Sequence, residues 1–550
     1  MQNTVSNMIQ NPILPGFNPD PSIVVVGSDF YIATSTFEWY PGVQIHHSKD
    51  LKNWRLVSRP LNRESLLDMR GEPDSCGIWA PCISYSQGKF HLIYTDVKRF
   101  DGNFKDAHNY YTTCETIDGQ WSDPVYMNSS GFDPSLFHDD DGKMWFVNMV
   151  WDHRYQRNQF GGILLQEYCP KQKKLVGEIK NIFKGSKLAL TEAPHLYKRN
   201  GYYYLLTAEG GTFYTHAMTV ARSKHIDGPY ELDPYGYLLT AKDNQHLGLQ
   251  RTGHGDLFDT PSGESYLVHL CGRPLAGERR CPLGRETGLQ KTYWTDDNWV
   301  RLENAQSDGL PEMQVPAPKL PEHPWPKQNK RCNFDSTTLP IEFQWLRTPF
   351  PERFMSLDTR PGYLRLTGRE SIGSLYEHAL IARRQEAFVY QAQTSLDFKP
   401  SNFQQTAGLI CYYNTSKFHY CYISVDDSGQ RFIDIMSCLG DQSLCLTFPL
   451  REGQLDACQT DKRFILPENG TVFLRASVKH HTLQFAYSLN EENWTTLPIN
   501  LDYSIISDEA GGGDGCHFTG GFVGMACQDV SGQQCIADFD YFEYVEYEDK

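Results

Sequence analysis

Short apolar runs alternating with polar positions fill this chain, and Gly, Asp, Asn or Pro breaks them every few residues. That period of two marks β-strands, and no long amphipathic helical period stands out. Five segments repeat one version of the pattern: Pro19–Ser35, Trp79–Asp96, Phe132–Met149, Glu192–Glu209 and Gly253–Leu270. Each reads as strand, Gly-containing turn, aromatic-rich strand. A proline opens the first strand in four copies, at Pro21, Pro81, Pro134 and Pro194, and Gly255 stands there in the fifth. After each hairpin come two more strand-like pieces, as in His46–Val57, Gly161–Gly177 and His216–Leu232. Four strands repeated every roughly 50–60 residues predict a β-propeller with one blade per copy.

The repeat stops after about residue 305. Gly309–Lys330 carries six prolines and reads as a stiff linker or strap. Beyond it, short alternating strands return without the repeat, in YLRLTGR, AFVYQAQTSLDF, AGLICYYN and CIADFDYFEYVEY among others. They predict a two-sheet sandwich of concanavalin or jelly-roll type. The expected organisation is all-β: a five-bladed propeller over residues 1–320, a proline-rich linker over 321–334 and a β-sandwich over 335–550.

Charge and composition narrow the partners. A net charge of −16 without basic runs argues against nucleic acid and anionic membranes. No apolar stretch approaches the ~20 residues of a membrane helix. The first residues, MQNTVSNMIQNP, lack a charged region followed by an apolar core, and the 15 cysteines lack metal-finger spacing. Both fit a cytoplasmic protein with reduced thiols. Aromatic residues make up 13% of the chain, which suits β-sheets and also the stacking of sugar rings.

Candidate chemistry lies at one register of the repeat. Asp20, Asp133 and Glu192 stand one or two residues before the shared strand start of three blades. Equivalent positions in a propeller face one another around the axis, so the three carboxyls should meet in one funnel. Each alone reads as a turn acid; their coincidence points to glycoside hydrolysis, which needs a proton donor and a second carboxylate. The Asp139–Asp140–Asp141–Gly142 run looks superficially like a calcium loop, but it lacks the later glutamate and reads as a hairpin turn.

Several long motifs then coincide in order: NPILPGFNPDPSI, STFEWYPGVQIHHSKDLKNW, GIWAPCISY, SSGFDPSLFHDDDGK, LTEAPHLYK, CPLGRETGLQ and FTGGFVGMACQD. Through them the chain resembles glycoside hydrolase family 43, and within it the two-domain β-xylosidases. The resemblance implies an inverting, exo-acting enzyme that releases xylose from the non-reducing end of xylo-oligosaccharides. An α-L-arabinofuranosidase is the near alternative, and a non-catalytic carbohydrate-binding protein on the same fold the distant one. By the family pattern Asp20 matches the general base, Glu192 the general acid, and Asp133 the residue that orients the acid and raises its pKa. Arg285, Phe37, Trp79, His254 and Phe518 match substrate-binding positions; the resemblance thus implies that residues 1–320 are the catalytic domain and that the sandwich over 335–550, lending Phe518, closes the active-site pocket. No cofactor is required; a calcium ion near the propeller axis, reached by His254 through water, is the one metal the resemblance allows. It also implies a homo-oligomer, dimer or tetramer. One departure is Ala193-Pro194 after the acid, where many relatives carry Gly-Pro.

Overall fold

The computed structural model describes residues 8–304, 309–440, 450–451, 464–511 and 517–548. Its elements are almost all strands; among the described residues the helical turns are the two 3-10 turns Pro351–Arg353 and Tyr503–Ile505. No helix among them is long and apolar enough to cross a membrane. The chain divides into two compact units. The first comprises Met1–Leu67, Cys76–Arg273 and Arg285–Pro326; the second comprises Asp68–Ser75, Pro274–Gly284 and Lys327–Lys550.

The first unit is the expected five-bladed propeller. Each blade is an antiparallel sheet, beginning with Ser22–Val26, Gly77–Ser86, Ser135–His138, Glu192–Arg199 and Gln250–Asp259; its strands follow one another in the chain, except that Trp39–Tyr40 intervenes in blade one without joining its sheet. Inner strands are enclosed and outer ones meet solvent, as in blade three, where most of Lys174–Phe183 is exposed or half-buried. Aromatic and β-branched residues suit this pleated, layered packing. The first strand of every blade opens on the same distortion. Asp20 (φ 56°), Ala80 (φ 40°), Asp133 (φ 53°), Ala193 (φ 50°) and His254 (φ 35°) all lie in the left-handed region. In blades two, four and five the pairing register also shifts there, between Trp79 and Cys82, Glu192 and His195, and Gly253 and Gly255. Such bulges re-aim side chains, and the following proline brings no N–H that would need a ladder partner. In the fifth copy a Cβ on Gly255 would lie 2.0 Å from the Val268 carbonyl oxygen, so glycine is required.

The ring is closed by the two ends of the unit. Met8–Gln10 pairs antiparallel with Gln314–Pro316, and Asn11 exchanges hydrogen bonds with the Leu289 backbone of blade five. Ile9, Ile13, Leu14 and Val315 enter one core with Ile23 and Phe30 of blade one and Val268 and Leu289 of blade five. Each such side chain contributes about 1.5–3 kcal/mol. The proline-rich segment continues as a strap: the His323 N–H donates to Asp50, and Trp325 lies under Arg55, 3.8 Å from ring centre to guanidinium carbon.

The second unit is a sandwich of two antiparallel sheets. One centres on Leu364–Thr367, Ile536–Glu546, Val389–Phe398 and Val472–Lys479; the other on Arg431–Leu439, Lys417–Val425, Gln405–Asn414 and Phe522–Asp529. Alternate residues of Val472–Lys479 point inward, and Leu364, Leu409, Ile433, Leu474, Phe485, Met525 and Phe539 fill the space between the sheets without exposed surface.

Candidate active site

The left-handed residues of blades one, three and five are Asp20, Asp133 and His254, and their side chains converge. His254 Nδ1 lies 3.8 Å from Asp20 Oδ1 and 4.0 Å from Asp133 Oδ2. Asp20 is 5% exposed and Asp133 7%. Burying carboxyls this deeply demands partners. Asp20 Oδ2 accepts from the Ser35 hydroxyl at 2.6 Å and Oδ1 from Arg285 Nη1 at 3.1 Å. Asp133 Oδ2 accepts from the Ala193 N–H at 3.1 Å, the peptide directly after Glu192. Glu192 occupies the register position one residue earlier than Asp20 and Asp133, and it keeps partial solvent access.

These surroundings split the carboxyls electrostatically. Burial works to raise Asp20, but the Arg285 guanidinium, His254 and the Ser35 hydroxyl outweigh it and hold Asp20 below the usual range. Desolvation pushes Glu192 well up, the Asp133 and Asp20 charges add to it, and Arg285 opposes. Asp133 is raised by its own burial and by the Asp20 charge. One carboxylate ionised beside a guanidinium, with a proton held on the neighbouring pair, is an arrangement able to take a proton at one side and give one at the other.

Arg285 is fixed from behind. Its Nη1 also donates to Thr212 Oγ1 at 3.2 Å, and Arg251 donates twice to the Thr212 carbonyl. Phe37 lies against it, with the guanidinium carbon 5.1 Å from the ring centre, and Trp79 is 5.6 Å from Phe37. Asp20, Asp133, Glu192, Arg285, His254, Phe37 and Trp79 all belong to the first unit. Phe518 belongs to the second, where its N–H donates to Ser75 Oγ.

One layer deeper, the residues two after the left-handed positions form a second set: Ser22, Cys82, Ser135, His195 and Asp256. Asp256 Oδ2 accepts from the Ser22 hydroxyl and the Ile23 N–H, and Oδ1 from the Tyr197 hydroxyl at 2.7 Å. His195 Nδ1 sits 3.6 Å from Asp256 Oδ1. Burial works against a charge on this imidazole, but Asp256 and Cys82 outweigh it and push it up to about 9. Sequence reasoning missed this layer, along with Ser35 and Thr212. The repeat held the signal for the layer, since all five residues share one register.

Calcium takes six to eight oxygen donors. Burial pushes the His254 imidazole down to about 4, and the carboxylates near it are Asp20 and Asp133. Among the described residues no group of three or more His, Cys, Asp or Glu side chains could hold a metal ion. The donor set around His254 does not fit a protein-built calcium site. The Asp139–Gly142 run is a hairpin turn, with Asp139 bound to Lys198 and Tyr203.

A buried carboxylate paired with a guanidinium beside two further carboxyls, at the hub of a propeller, is suited to the acid–base chemistry of a glycoside hydrolase. The comparisons agree. The model of the glycosyl hydrolases family 43 matches residues 9–300, and that of the β-xylosidase C-terminal concanavalin A-like domain matches residues 331–545. The chain belongs to glycosyl hydrolase family 43. It is 55% identical to xylosidase/arabinosidase 43B of Humicola insolens over 538 residues, covering 98% of this chain and 97% of the relative. It is 48% identical to a β-xylosidase of Bacillus subtilis, covering 98% and 99%. The solved xylan β-1,4-xylosidase of Bacillus halodurans superposes with a TM-score of 0.93 at 50% identity, covering 98% of this chain and all of that one.

Proposed function

We propose that this chain is an inverting, exo-acting β-D-xylosidase that releases xylose from the non-reducing end of xylo-oligosaccharides, with residues 1–320 as its catalytic domain. The observation that carries the chemistry is geometric: Asp20 is paired with Arg285 at 3.1 Å while Asp133 holds the peptide directly after Glu192 at 3.1 Å, surroundings that favour a charge on Asp20 and, through desolvation and the Asp133 charge, a proton on Glu192. Asp20 takes a proton from a water molecule as that water attacks the anomeric carbon. Glu192 gives its proton to the departing glycosidic oxygen. Asp133 accepts from the Ala193 N–H and so steadies the peptide that carries the acid. Because attack and departure use different carboxyls on opposite faces of the sugar, configuration inverts. Arg285, held by Thr212, offers donors to sugar hydroxyls, and Phe37 and Trp79 offer apolar faces.

The choice of xylose rests on relatives named for β-xylosidase activity along nearly their whole length. Arabinofuranosidase side activity is favoured by the relative whose name carries both activities. Proton NMR during xylobiose hydrolysis tests the proposal: α-xylose appearing first supports it, and β-xylose first refutes inversion. If xylobiose is inert while an α-L-arabinofuranoside is cleaved, the second activity is the main one. Glu192→Ala should lose most on poor leaving groups, and Asp20→Ala should lose activity on all substrates. Catalysis runs without a cofactor, so dialysis against EDTA should leave kcat unchanged; a loss restored by calcium would reinstate a cation near His254. A cytoplasmic location and assembly as a dimer or tetramer complete the proposal, and light scattering of the purified protein tests the assembly.

A further inference from the structure

Glu209 is a fully buried glutamate directly after Ala208, the strand partner of Glu192, and apart from its charge, which works with the others to raise Glu192, the chemistry above does not use it. It ends the second strand of blade four, Tyr202–Glu209, pairs with Ala217 and has no exposed surface. A glutamate in that position must be richly partnered or it would be too costly to bury. Its donors come chiefly from one short stretch of chain. The Ser186 N–H lies 3.2 Å from Oε1, and the Ser186 hydroxyl donates to Oε2 at 2.7 Å. The Thr191 side chain donates as well, and Thr219 Oγ1 donates to Oε1 at 3.3 Å. Ser186 and Thr191 are the two ends of the loop that leads directly into Glu192.

That loop is tight and strained. Ala189 (φ 62°) and Leu190 (φ 54°) are both left-handed, as is Ala193 on the far side of Glu192. Such a conformation is unfavourable for any residue with a Cβ and persists only where the surroundings impose it. Gly185 closes the loop: a Cβ there would lie 1.9 Å from Thr191 Oγ1. The Gly210 N–H, next to Glu209, donates to the Ala189 carbonyl at 2.8 Å. Glu209 and its neighbour therefore grip the loop at its start, middle and end.

We propose that Glu209 is a positioning residue for Glu192: its buried carboxylate clamps the Gly185–Thr191 loop and so fixes the direction from which the Glu192 carboxyl reaches the glycosidic oxygen. The proposal rests on Glu192 as the general acid. A misaimed acid matters only when the leaving group needs a proton, so the signature of Glu209 is leaving-group dependence. The test compares xylobiose, a poor leaving group, with 4-nitrophenyl β-xyloside, an activated one. In Glu209→Gln an amide NH2 faces donors that need an acceptor. kcat on xylobiose should fall about tenfold or more, while kcat on the aryl xyloside stays within about threefold, because proton donation contributes 10²–10⁴-fold only where it is required. KM on both should hold. Ser186→Ala, which removes one clamp bond and leaves the carboxylate in place, should show the same selectivity at smaller size and serves if Glu209→Gln does not fold. Equal loss on both substrates, or no loss on either, overturns the proposal. Glu192→Ala is measured alongside. If it discriminates between the substrates and the clamp variants do not, the clamp is wrong and the acid stands. If Glu192→Ala itself shows no discrimination, the acid assignment falls and the clamp with it.

Discussion

Removing one hydroxyl should move the acid limb of the pH profile by a full pH unit or more. Ser35 Oγ donates to Asp20 Oδ2 at 2.6 Å and accepts the Ala80 N–H at 2.7 Å, so the hydroxyl is both fixed and polarised toward the carboxylate. A hydrogen bond to a buried charge contributes about 1.5–3 kcal/mol, and 1.36 kcal/mol corresponds to one pKa unit. Ser35→Ala should therefore raise Asp20 by about one to two units, because burial then works against a charge held by Arg285 and His254 with less help. The base must be ionised to act, so activity on the acid side is lost at a higher pH. The assay is kcat/KM on 4-nitrophenyl β-xyloside from about pH 3 to pH 9, since an activated leaving group leaves the base in control of the acid limb. Three carboxyls share the site, so the apparent value belongs to the cluster and the comparison is between variants. Ser35→Thr keeps the hydroxyl and should keep the wild-type limb. An acid limb in Ser35→Ala within about 0.3 of wild type, in a folded protein, would refute the role given to this hydrogen bond.

Two further outcomes follow from the buried charges. Asp133→Asn keeps an acceptor for the Ala193 N–H but removes a carboxyl whose ionised form burial and Asp20 disfavour. The folded state holds a proton there that the unfolded chain releases above about pH 4, so this group lowers stability as pH rises. The variant should gain about 1–2 kcal/mol in urea unfolding at pH 8 and little at pH 4, while kcat falls by about 10²-fold or more; a loss of stability at pH 8 would count against it. Asp256→Asn acts with the opposite outcome. His195, held up at about 9, adds stability that is complete below about pH 6.5 and fades as pH climbs through 9, an effect of about 1–3 kcal/mol. Melting temperature against pH should decline over that window in the wild type and be lower and flatter in the variant; identical slopes would exclude the pair as the cause.

Much of this was legible in the chain because the blade repeat writes the same punctuation five times. The Pro or Gly at each strand start located the hub, and placing acids against that mark singled out Asp20, Asp133 and Glu192. What escaped depends on pairing across strands and on chain segments far apart. Ser35 reaches Asp20 only because Ser22 pairs with Ala33, which brings the end of the second strand back over the start of the first. Thr212 and Arg251 matter through a carbonyl contact that no local pattern records. The segments 68–75 and 274–284 fall inside the span 1–320 expected for the propeller, yet both are part of the second compact unit. Phe37, 2% exposed and set among Phe17 and Trp79, is indistinguishable by composition from a core residue.

Ala80 and Ala193, the two alanines at the left-handed strand starts of the hub, explain how it tolerates its own strain. Ala80 aims its N–H at Ser35, which serves Asp20, and Ala193 aims its N–H at Asp133. In each case a strained peptide in one blade feeds the carboxyl of the blade before it. The left-handed conformation costs an L-residue about 1–2 kcal/mol, and glycine is at ease in it. Replacing Ala193 by glycine recovers that cost but loses about 0.4–1 kcal/mol to the freer unfolded chain and about 0.8 kcal/mol from a buried methyl; Ala193 is 3% exposed. The terms nearly cancel, so Ala193→Gly should unfold within about 1 kcal/mol of wild type and keep its activity, because the N–H to Asp133 survives. Ala193→Val adds a branched Cβ where φ is positive and should lose more than about 2 kcal/mol together with most of its activity. If valine is tolerated as well as glycine, then the left-handed peptide is not what ties Asp133 to the acid, and the Ala193 contact is incidental to the chemistry.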